Sequence, residues 1–155
     1  MTPYYRPATL DDAYELAPKL READVQEVKD SSGVNALDAL LISVTASSEA
    51  FSIIATDGEV IGMFGVTPTA DPDIGVPWLL CSDRLPEVRK EFIPQSAEWV
   101  IEVNKKFPVL CNYVAKDNKV AIRWLRHLGF TFTQLIENFG VGQKPFYEFV
   151  RIKDV

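Results

Sequence analysis

The sequence is poor in residues that bind metals. It has one histidine, His127, and two cysteines in 155 residues, and these do not follow a spacing typical of a metal site. It also lacks a basic excess, because the formal net charge is −6 and the pI is about 4.8. Binding nucleic acid over a broad surface requires a basic stripe that neutralises phosphates. The sequence therefore argues against a metalloprotein and against a nucleic-acid partner, although a local basic patch is compatible with it.

Long apolar runs and a secretion signal are missing as well. No uninterrupted apolar run approaches membrane-spanning length, and the N-terminus has no basic region followed by an apolar core. Cys81 and Cys111 lie in the apolar segments WLLCSD and VLCNYV, where cysteines more often act as small core residues than as a disulfide. We therefore expect a cytoplasmic protein with reduced cysteines, no membrane contact and no metal.

The composition is that of a folded domain, with 47% hydrophobic and 25% charged residues. A chain of this length can bury roughly 70% of the surface that its unfolded form exposes. The sequence contains no internal repeat, linker or low-complexity tail. We expect a single domain over residues 1–155.

The first third of the chain predicts one strand and two helices. A short extended segment at 4–8 precedes Thr9, which can cap a helix and be answered by Asp12 three residues later. Pro18 predicts a kink or break in that helix. A polar segment, READVQEVKDSSG, then leads to a second helix at about 36–47.

The pattern then changes to strands. Residues 51–55 and 60–66 are β-rich and are joined by Asp57-Gly58, a strong hairpin signal. Residues 67–77 carry three prolines and predict an open loop, which is one candidate contact surface. A continuously apolar strand follows at 77–81.

The last third alternates strands and helices. Residues 84–106 have helical spacing that Pro94 is expected to kink or divide. Residues 109–115 form a strand, a short helix lies between Asn118 and Gly129, and two strands end the chain, the last from Lys144-Pro145. The resulting order β, α, α, β, β, β, α, β, α, β, β favours an α/β or α+β sheet covered by helices on both sides.

One segment is similar to a known family. Residues 118–130, NKVAIRWLRHLGF, resemble the N-x-x-A-x-x-x-Y-x-x-x-G-F segment of the GNAT superfamily of acyl-CoA-dependent N-acyltransferases. The opening Arg6-Pro7-Ala8-Thr9 with Asp12 is similar to that family's first strand and helix start. The resemblance implies a GNAT-like fold: a mixed, mostly antiparallel central sheet of about six to seven strands, flanked by helices. Within it, the parallel strands Pro77–Ser82 and Val109–Ala115 would splay apart.

The resemblance also implies a cofactor, acetyl-CoA, whose pantetheine arm would lie in the gap between the splayed strands, against residues such as Leu80 and Cys81. The family's phosphate loop, Q/R-x-x-G-x-G/A, is replaced by RLPEVR from Arg84 to Arg89. Pro86 has no N–H to donate, and Val88 stands near a site where glycine admits phosphate.

Basic residues could offset part of this loss. Arg84 and Arg89 are candidate phosphate ligands in the altered loop. Asn118 and Arg123 are candidates at the next helix, where a phosphate would meet the helix dipole. Two simpler interpretations stay open, since Asn118 fits a helix N-cap and Arg123 fits a solvated helix face with Lys119, Arg126 and His127.

The catalytic pattern departs from the family too. Leu125 occupies the position of the tyrosine that often protonates the leaving thiolate, so Tyr113 is the nearest replacement acid. A base must take the proton of the amine, and Glu27 or Asp24, one helical turn apart, could face the substrate, with Asp83 as another option. All of these also fit packed or surface roles.

Two function hypotheses follow. The first is acetyl-CoA-dependent acyl transfer to a small-molecule or protein amine. The second rests on the tryptophans and the R-E-A-D-x-x-E-V run, which are similar to GNAT-like proteins of tailed bacteriophages. It is a non-catalytic protein that acts as an internal virion component or as a binder of a host protein. The sequence does not determine the acceptor or the oligomeric state.

Overall fold

A computed structural model describes residues 3–153. Seven strands form one sheet in the order β1-β2-β3-β4-β5-β7-β6. The strands are β1 (Tyr4–Pro7), β2 (Glu49–Ile54), β3 (Val60–Pro68), β4 (Ile74–Cys81), β5 (Val109–Ala115), β6 (Thr131–Phe139) and β7 (Lys144–Ile152). The α-helices are α1 (Leu10–Leu16), α2 (Glu22–Ser32), α3 (Ala36–Ala46), α4 (Arg89–Lys106) and α5 (Lys119–His127), and short 3₁₀ turns cover Ala17–Lys19 and Leu85–Val88.

The sheet is antiparallel at every neighbouring pair except β4 and β5. These two strands run parallel and pair only at their beginnings, Ile74 with Val109 and Gly75 with Leu110. At this closed end the neighbours pack so tightly that a Cβ on Gly75 would lie 2.8 Å from Phe107 Cγ. The predicted mixed sheet and its splayed parallel pair are therefore confirmed.

Helices cover both faces of the sheet. On one face, Val100 and Val103 of α4 and Leu125 of α5 form a buried cluster with Leu110 and Val114 of β5. On the other face, buried residues of α1, α3 and β3 form a second cluster, which includes Leu16, Leu40 and Met63. The splayed strands thus lie between two helical layers.

Local capping signals predicted several helix ends well. The capping box at Thr9 and Asp12 is present in both directions, and the 3₁₀ turn containing Pro18 ends α1 as expected. Asn118 caps α5 by accepting from the Ala121 N–H, and Gly129 follows that helix at φ +90°. The hairpin at 57–58 and the two free cysteines are also as predicted among the described residues.

Three predictions of local structure were wrong. The polar segment before Gly33 forms the regular helix α2, although Val25 and Val28 are its only large apolar residues. The predicted division of the helix at Pro94 is wrong, because α4 is continuous from Arg89 to Lys106; the alternative, a kink, stays a prediction. The expected open loop at 67–77 shrinks to residues 69–73, because β3 and β4 extend into it from both sides.

In the described part of the chain, the helices are all too short or too polar to cross a membrane.

Candidate functional site

Helix α2 begins at the open end of the β4–β5 gap. The segment before it pairs with the chain that leaves β4: Leu20 forms a β-bridge with Ser82, and the Arg21 N–H donates to the Cys81 carbonyl at 2.9 Å. This pairing fixes where α2 starts. Asp24 and Glu27, in its first two turns, are thereby directed at the gap.

Near its closed end the gap is bridged by one side chain, that of Asn112. Its Nδ2 donates to the Pro77 carbonyl of β4 at 2.7 Å, and its Oδ1 accepts from the Tyr113 N–H of β5 at 2.8 Å. The amide thus replaces main-chain pairing that two diverging strands cannot make. No local sequence pattern predicts this bridge, because it depends on the separation of two strands whose bonded residues are 35 positions apart.

Toward the open end of the gap, carboxylates of α2 accept a hydrogen bond from one main-chain N–H group of each strand. Asp24 Oδ2 accepts from the Cys81 N–H of β4 at 3.0 Å, and Glu27 Oε1 accepts from the Ala115 N–H of β5 at 2.6 Å. Charge-assisted bonds of this kind are roughly twice as strong as neutral ones. The two carboxylates therefore hold α2 across the gap.

The main-chain groups of Leu79 in β4 face the gap. The Pro77 carbonyl and the Cys81 N–H both point into the gap, and main-chain groups alternate in direction along a strand. The N–H and carbonyl of Leu79 therefore point into the gap as well. Those of Leu80 point toward β3, where Leu80 pairs with Met63.

Burial shifts the ionisation of this cluster. It raises the pKa of Glu27 to about 7, with the neighbouring charge of Asp24 adding to the effect and the Ala115 N–H opposing it. Burial also raises the pKa of Asp24, against the hydrogen bond from Cys81 and the charge of Arg21. The Cys81 thiol has its pKa raised to about 12 by burial and by Asp24. The pKa of Glu27 thus lies near neutral pH.

Glu27 also has an oxygen available to a ligand. Oε1 is taken by Ala115 and receives a second, longer bond of 3.4 Å from Asn118 Nδ2. Oε2 has no hydrogen-bond partner among the described residues, and no buried side-chain oxygen lacks one. Oε2 of this half-buried residue must therefore retain accessible surface.

A cavity of about 1070 Å³ passes through the gap. Most of the predicted site residues line it: Glu27, Leu80, Cys81, Arg89, Tyr113, Asn118 and Arg123. Arg84 is not among its lining residues, and its guanidinium bonds the carboxylates of Asp57, Glu59 and Glu87. The structure therefore brings the proposed base and acid to one cavity but directs Arg84 elsewhere.

Tyr113 occupies a constrained position on the cavity wall. Its hydroxyl donates to Glu148 Oε2 at 3.3 Å, and its ring stacks on Phe139 with 4.6 Å between centroids. Burial and the nearby Cys111 and Glu148 raise the pKa of the phenol. The hydroxyl therefore keeps its proton at neutral pH.

The segment that replaces a glycine phosphate loop is a helical turn. Leu85–Val88 forms a 3₁₀ turn that leads directly into α4, and the Arg89 N–H already donates to the Pro86 carbonyl. Val88 is buried in a core cluster beside Phe92. An anion at this end of the cavity would therefore meet the exposed side chains of Arg89 and Arg123 in place of a cradle of main-chain N–H groups.

No cluster of three or more metal-ligating side chains is present in residues 3–153.

Comparisons with known proteins identify the fold. No protein-family model matches the sequence, and no curated protein does. Among solved structures, the phosphinothricin acetyltransferase of Sinorhizobium meliloti in complex with AcCoA is similar, with 18% identity, a TM-score of 0.73, and coverage of 99% of this chain and 89% of that chain. Ard1 of Thermoplasma volcanium has 14% identity and a TM-score of 0.73 over the whole of both chains.

Spermidine N-acetyltransferase of Vibrio cholerae, in complex with CoA and spermine, has 13% identity and a TM-score of 0.68, with coverage of 98% and 96%. Identities this low show the fold alone. The fold is that of the GNAT acetyltransferases.

Proposed function

We propose that this protein transfers an acetyl group from acetyl-CoA to a primary amine. The observation that carries the proposal is the position of Glu27, a carboxyl group with a pKa of about 7 and one accessible oxygen at the β4–β5 gap. A general base works best when its pKa lies near the working pH. The fold is that of acetyltransferases, and one of the similar structures contains AcCoA.

The gap suits the arm of acetyl-CoA, and the opposite end of the cavity suits its phosphates. The main chain of Leu79 offers one N–H and one carbonyl to an amide, and apolar side chains such as Leu125 and Phe130 line the cavity beside it. Arg89 and Arg123 would bind the phosphates in place of a glycine loop. When bound there, acetyl-CoA supplies the activated acetyl group.

The chain's own residues then handle two protons. Glu27 Oε2 accepts the proton that leaves the amine, while Asn118 Nδ2 and the Ala115 N–H fix the orientation of the carboxyl group. Tyr113 holds a proton on Oη, with Glu148 fixing its position, and is our proposed acid. Asp24 acts on Glu27 through its charge.

The direct experiment is an assay of thiol release from acetyl-CoA with a panel of primary amines, at pH values from 5.5 to 9. We expect amine-dependent release that increases as the pH rises through about 7, because the base acts when ionised. Absence of release with every amine, despite bound acetyl-CoA, would remove catalysis from the proposal.

A second candidate function is favoured because the protein's own side chains already bind main-chain N–H groups that face the gap. Asn112, Asp24 and Glu27 take three of the main-chain N–H groups that face it, and the phosphate loop lacks glycine. Both features suit a non-catalytic GNAT-like protein, such as an internal virion protein of a tailed bacteriophage or a binder of a host protein. Millimolar acetyl-CoA that leaves the melting temperature unchanged would favour this alternative.

The two arginines give a separate prediction about affinity. Arg89→Ala and Arg123→Ala should each weaken acetyl-CoA binding by about two- to fivefold, the size typical of exposed ion pairs, and less at high salt. Isothermal titration calorimetry measures this. Arg126→Ala is the matched control. Arg126 is exposed on α5, as Arg123 is, but its guanidinium carbon lies over Phe132, 5.2 Å from the ring centroid. Equal losses with acetyl-pantetheine, which has no pyrophosphate, would contradict the assignment.

A further inference from the structure

The half of the cavity under α2 and α3 is lined mainly by apolar and aromatic side chains. Side chains of β5 alternate across the sheet, so that Val114 packs under α4 and α5, while Tyr113 stacks on Phe139 on the opposite face. On that opposite face the cavity is lined by Val28 of α2, Ile42 of α3 and Trp78 of β4. This half, which we call the α2–α3 chamber, has a largely apolar and aromatic wall.

Charge in the chamber is confined to the gap. Arg21, Asp24 and Glu27 lie there, and Asp83 lies at the end of β4; none of the other described residues that line the α2–α3 chamber is charged. Arg21 pairs with Asp24 at 3.6 Å. Neither Glu27 nor Asp83 makes an ion pair within 4.0 Å among residues 3–153. Asp83 is exposed to solvent at the end of β4, so Glu27 is the half-buried carboxylate left for a cationic ligand.

Two of the three serine hydroxyls that line the chamber, those of Ser31 and Ser32 but not that of Ser43, already donate to a main-chain carbonyl. Ser31 Oγ and Ser32 Oγ both donate to the Val28 carbonyl, at 3.3 and 3.0 Å. Trp78 Nε1 donates to Ser47 Oγ at 2.8 Å. These bonds leave the wall with few donors to offer a polar substituent.

The aromatic part of the wall is rigid. Phe139 stacks on Tyr113 and also contacts Phe146, with 4.8 Å between the second pair of centroids. The turn between β6 and β7 is fixed to α2 by the Gly142 N–H, which donates to the Asp30 carbonyl at 2.7 Å. Aromatic faces pack well on flat apolar groups and also attract cations.

From these features we infer that the acceptor is a primary amine carried on an aryl or branched-alkyl group, with no second charge. The inference rests on the acetyl transfer proposed above. The ammonium group would meet Glu27 and the aromatic faces, and the apolar carrier would fill the α2–α3 chamber. A carboxylate would lie unpaired against an apolar wall, and a second cation would find no second half-buried carboxylate free to pair with it, so either group is costly to bury.

Three amines test this inference: phenethylamine, phenylalanine, which adds a carboxylate to the same carrier, and spermidine, which adds cations to an alkyl chain. We expect kcat/KM for phenethylamine to exceed that for each of the others by about tenfold or more, which corresponds to roughly 1.4 kcal/mol. Higher kcat/KM for spermidine or phenylalanine would overturn the inference and leave acetyl transfer standing.

A binding measurement keeps the inference testable if no amine is acetylated, which would count against the proposed function itself. Phenethylamine alone should raise the melting temperature, by mass action, more than spermidine does at equal concentration. An equal rise or no rise would overturn the inference.

A matched pair of variants locates the site. Ile42 on α3 lines the chamber and is 58% exposed, whereas Ile101 on α4 lies outside the cavity and is 44% exposed. Ile42→Ser should raise KM for phenethylamine about three- to tenfold and leave KM for acetyl-CoA unchanged, because one apolar contact is lost. Ile101→Ser should match the unaltered protein. An unchanged KM in Ile42→Ser would contradict the chamber as the acceptor site.

Discussion

Glu27→Gln should lower kcat/KM for acetyl transfer by about 10²- to 10⁴-fold, the usual contribution of a general base. Glutamine can still accept from the Ala115 N–H, as Glu27 does at 2.6 Å, so α2 stays in place. It cannot accept the proton of the amine. The remaining activity should also lose the rise through pH 7 that the pKa of Glu27 gives the unaltered protein. Steady-state kinetics from pH 5.5 to 9 measure both effects.

The same variant should be more stable than the unaltered protein above neutral pH. Burial raises the pKa of Glu27 from 4.5 to about 7, so the folded state binds more protons than the unfolded state between these values. The contribution of Glu27 to the free energy of unfolding therefore falls as the pH rises from 4.5 to 7, by on the order of 1 to 3 kcal/mol. Thermal melts at pH 5 and pH 8 test the sign.

Glu22→Gln is the control for both measurements, since Glu22 is exposed in the first turn of the same helix. It should change neither the rate nor the pH dependence of the melting temperature. If Glu27→Gln keeps full activity with an unchanged pH profile, Glu27 is not the base.

Asp12→Ala should destabilise the fold by about 1 to 3 kcal/mol, the range found when buried donors lose their acceptor, because Asp12 and its partner Ser52 are buried while Arg6 is partly exposed to water. Asp12 accepts from two Arg6 nitrogens at 2.7 and 3.0 Å, from the Thr9 N–H and from Ser52 Oγ. Its removal therefore leaves a guanidinium and two further donors without their acceptor. Urea unfolding measures the change, and Asp11→Ala, exposed in the same turn, should cost within about 0.5 kcal/mol.

The stabilisation of the fold by Asp12 is present only over a defined pH range. Burial alone would raise the pKa of Asp12, but hydrogen bonds from Arg6, Ser52 and Thr9 outweigh it and lower the pKa from 3.8 to about 2. The stabilisation is therefore present above pH 4 and is lost as the pH falls from 4 to 2. An Asp12→Ala protein as stable as the unaltered one at pH 7 would contradict the role of this network.

The sequence predicted the fold where local chemistry decides it. Asn118 and Gly129 define α5 through capping and a left-handed backbone, and the Asp57-Gly58 turn defines a hairpin. Helix α2 was missed because Val25 and Val28 give it almost no apolar periodicity. What holds it is tertiary: Asp24 and Glu27 bond Cys81 and Ala115, which are 57 and 88 residues away.

The catalytic roles of the site residues stay predictions, and the structure shows only where these residues lie. Glu27 and Tyr113 were chosen from residue type and position, and the fold places both on one cavity. The ion network of Arg84 and the bridge made by Asn112 could not be foreseen, because each depends on partners that only the folded chain brings together. Those partners decide whether a cation faces a ligand or a neighbouring carboxylate.

The central claim is that acetyl-CoA binds in the β4–β5 gap, and a ¹H–¹⁵N NMR titration with acetyl-CoA tests it most directly. Saturable shifts are expected at the amides of Leu79, Cys81 and Ala115, which face the gap, while amides of the distant strand β1 should stay in place. Absence of shifts at millimolar acetyl-CoA, or shifts confined to residues outside the gap, would contradict the claim.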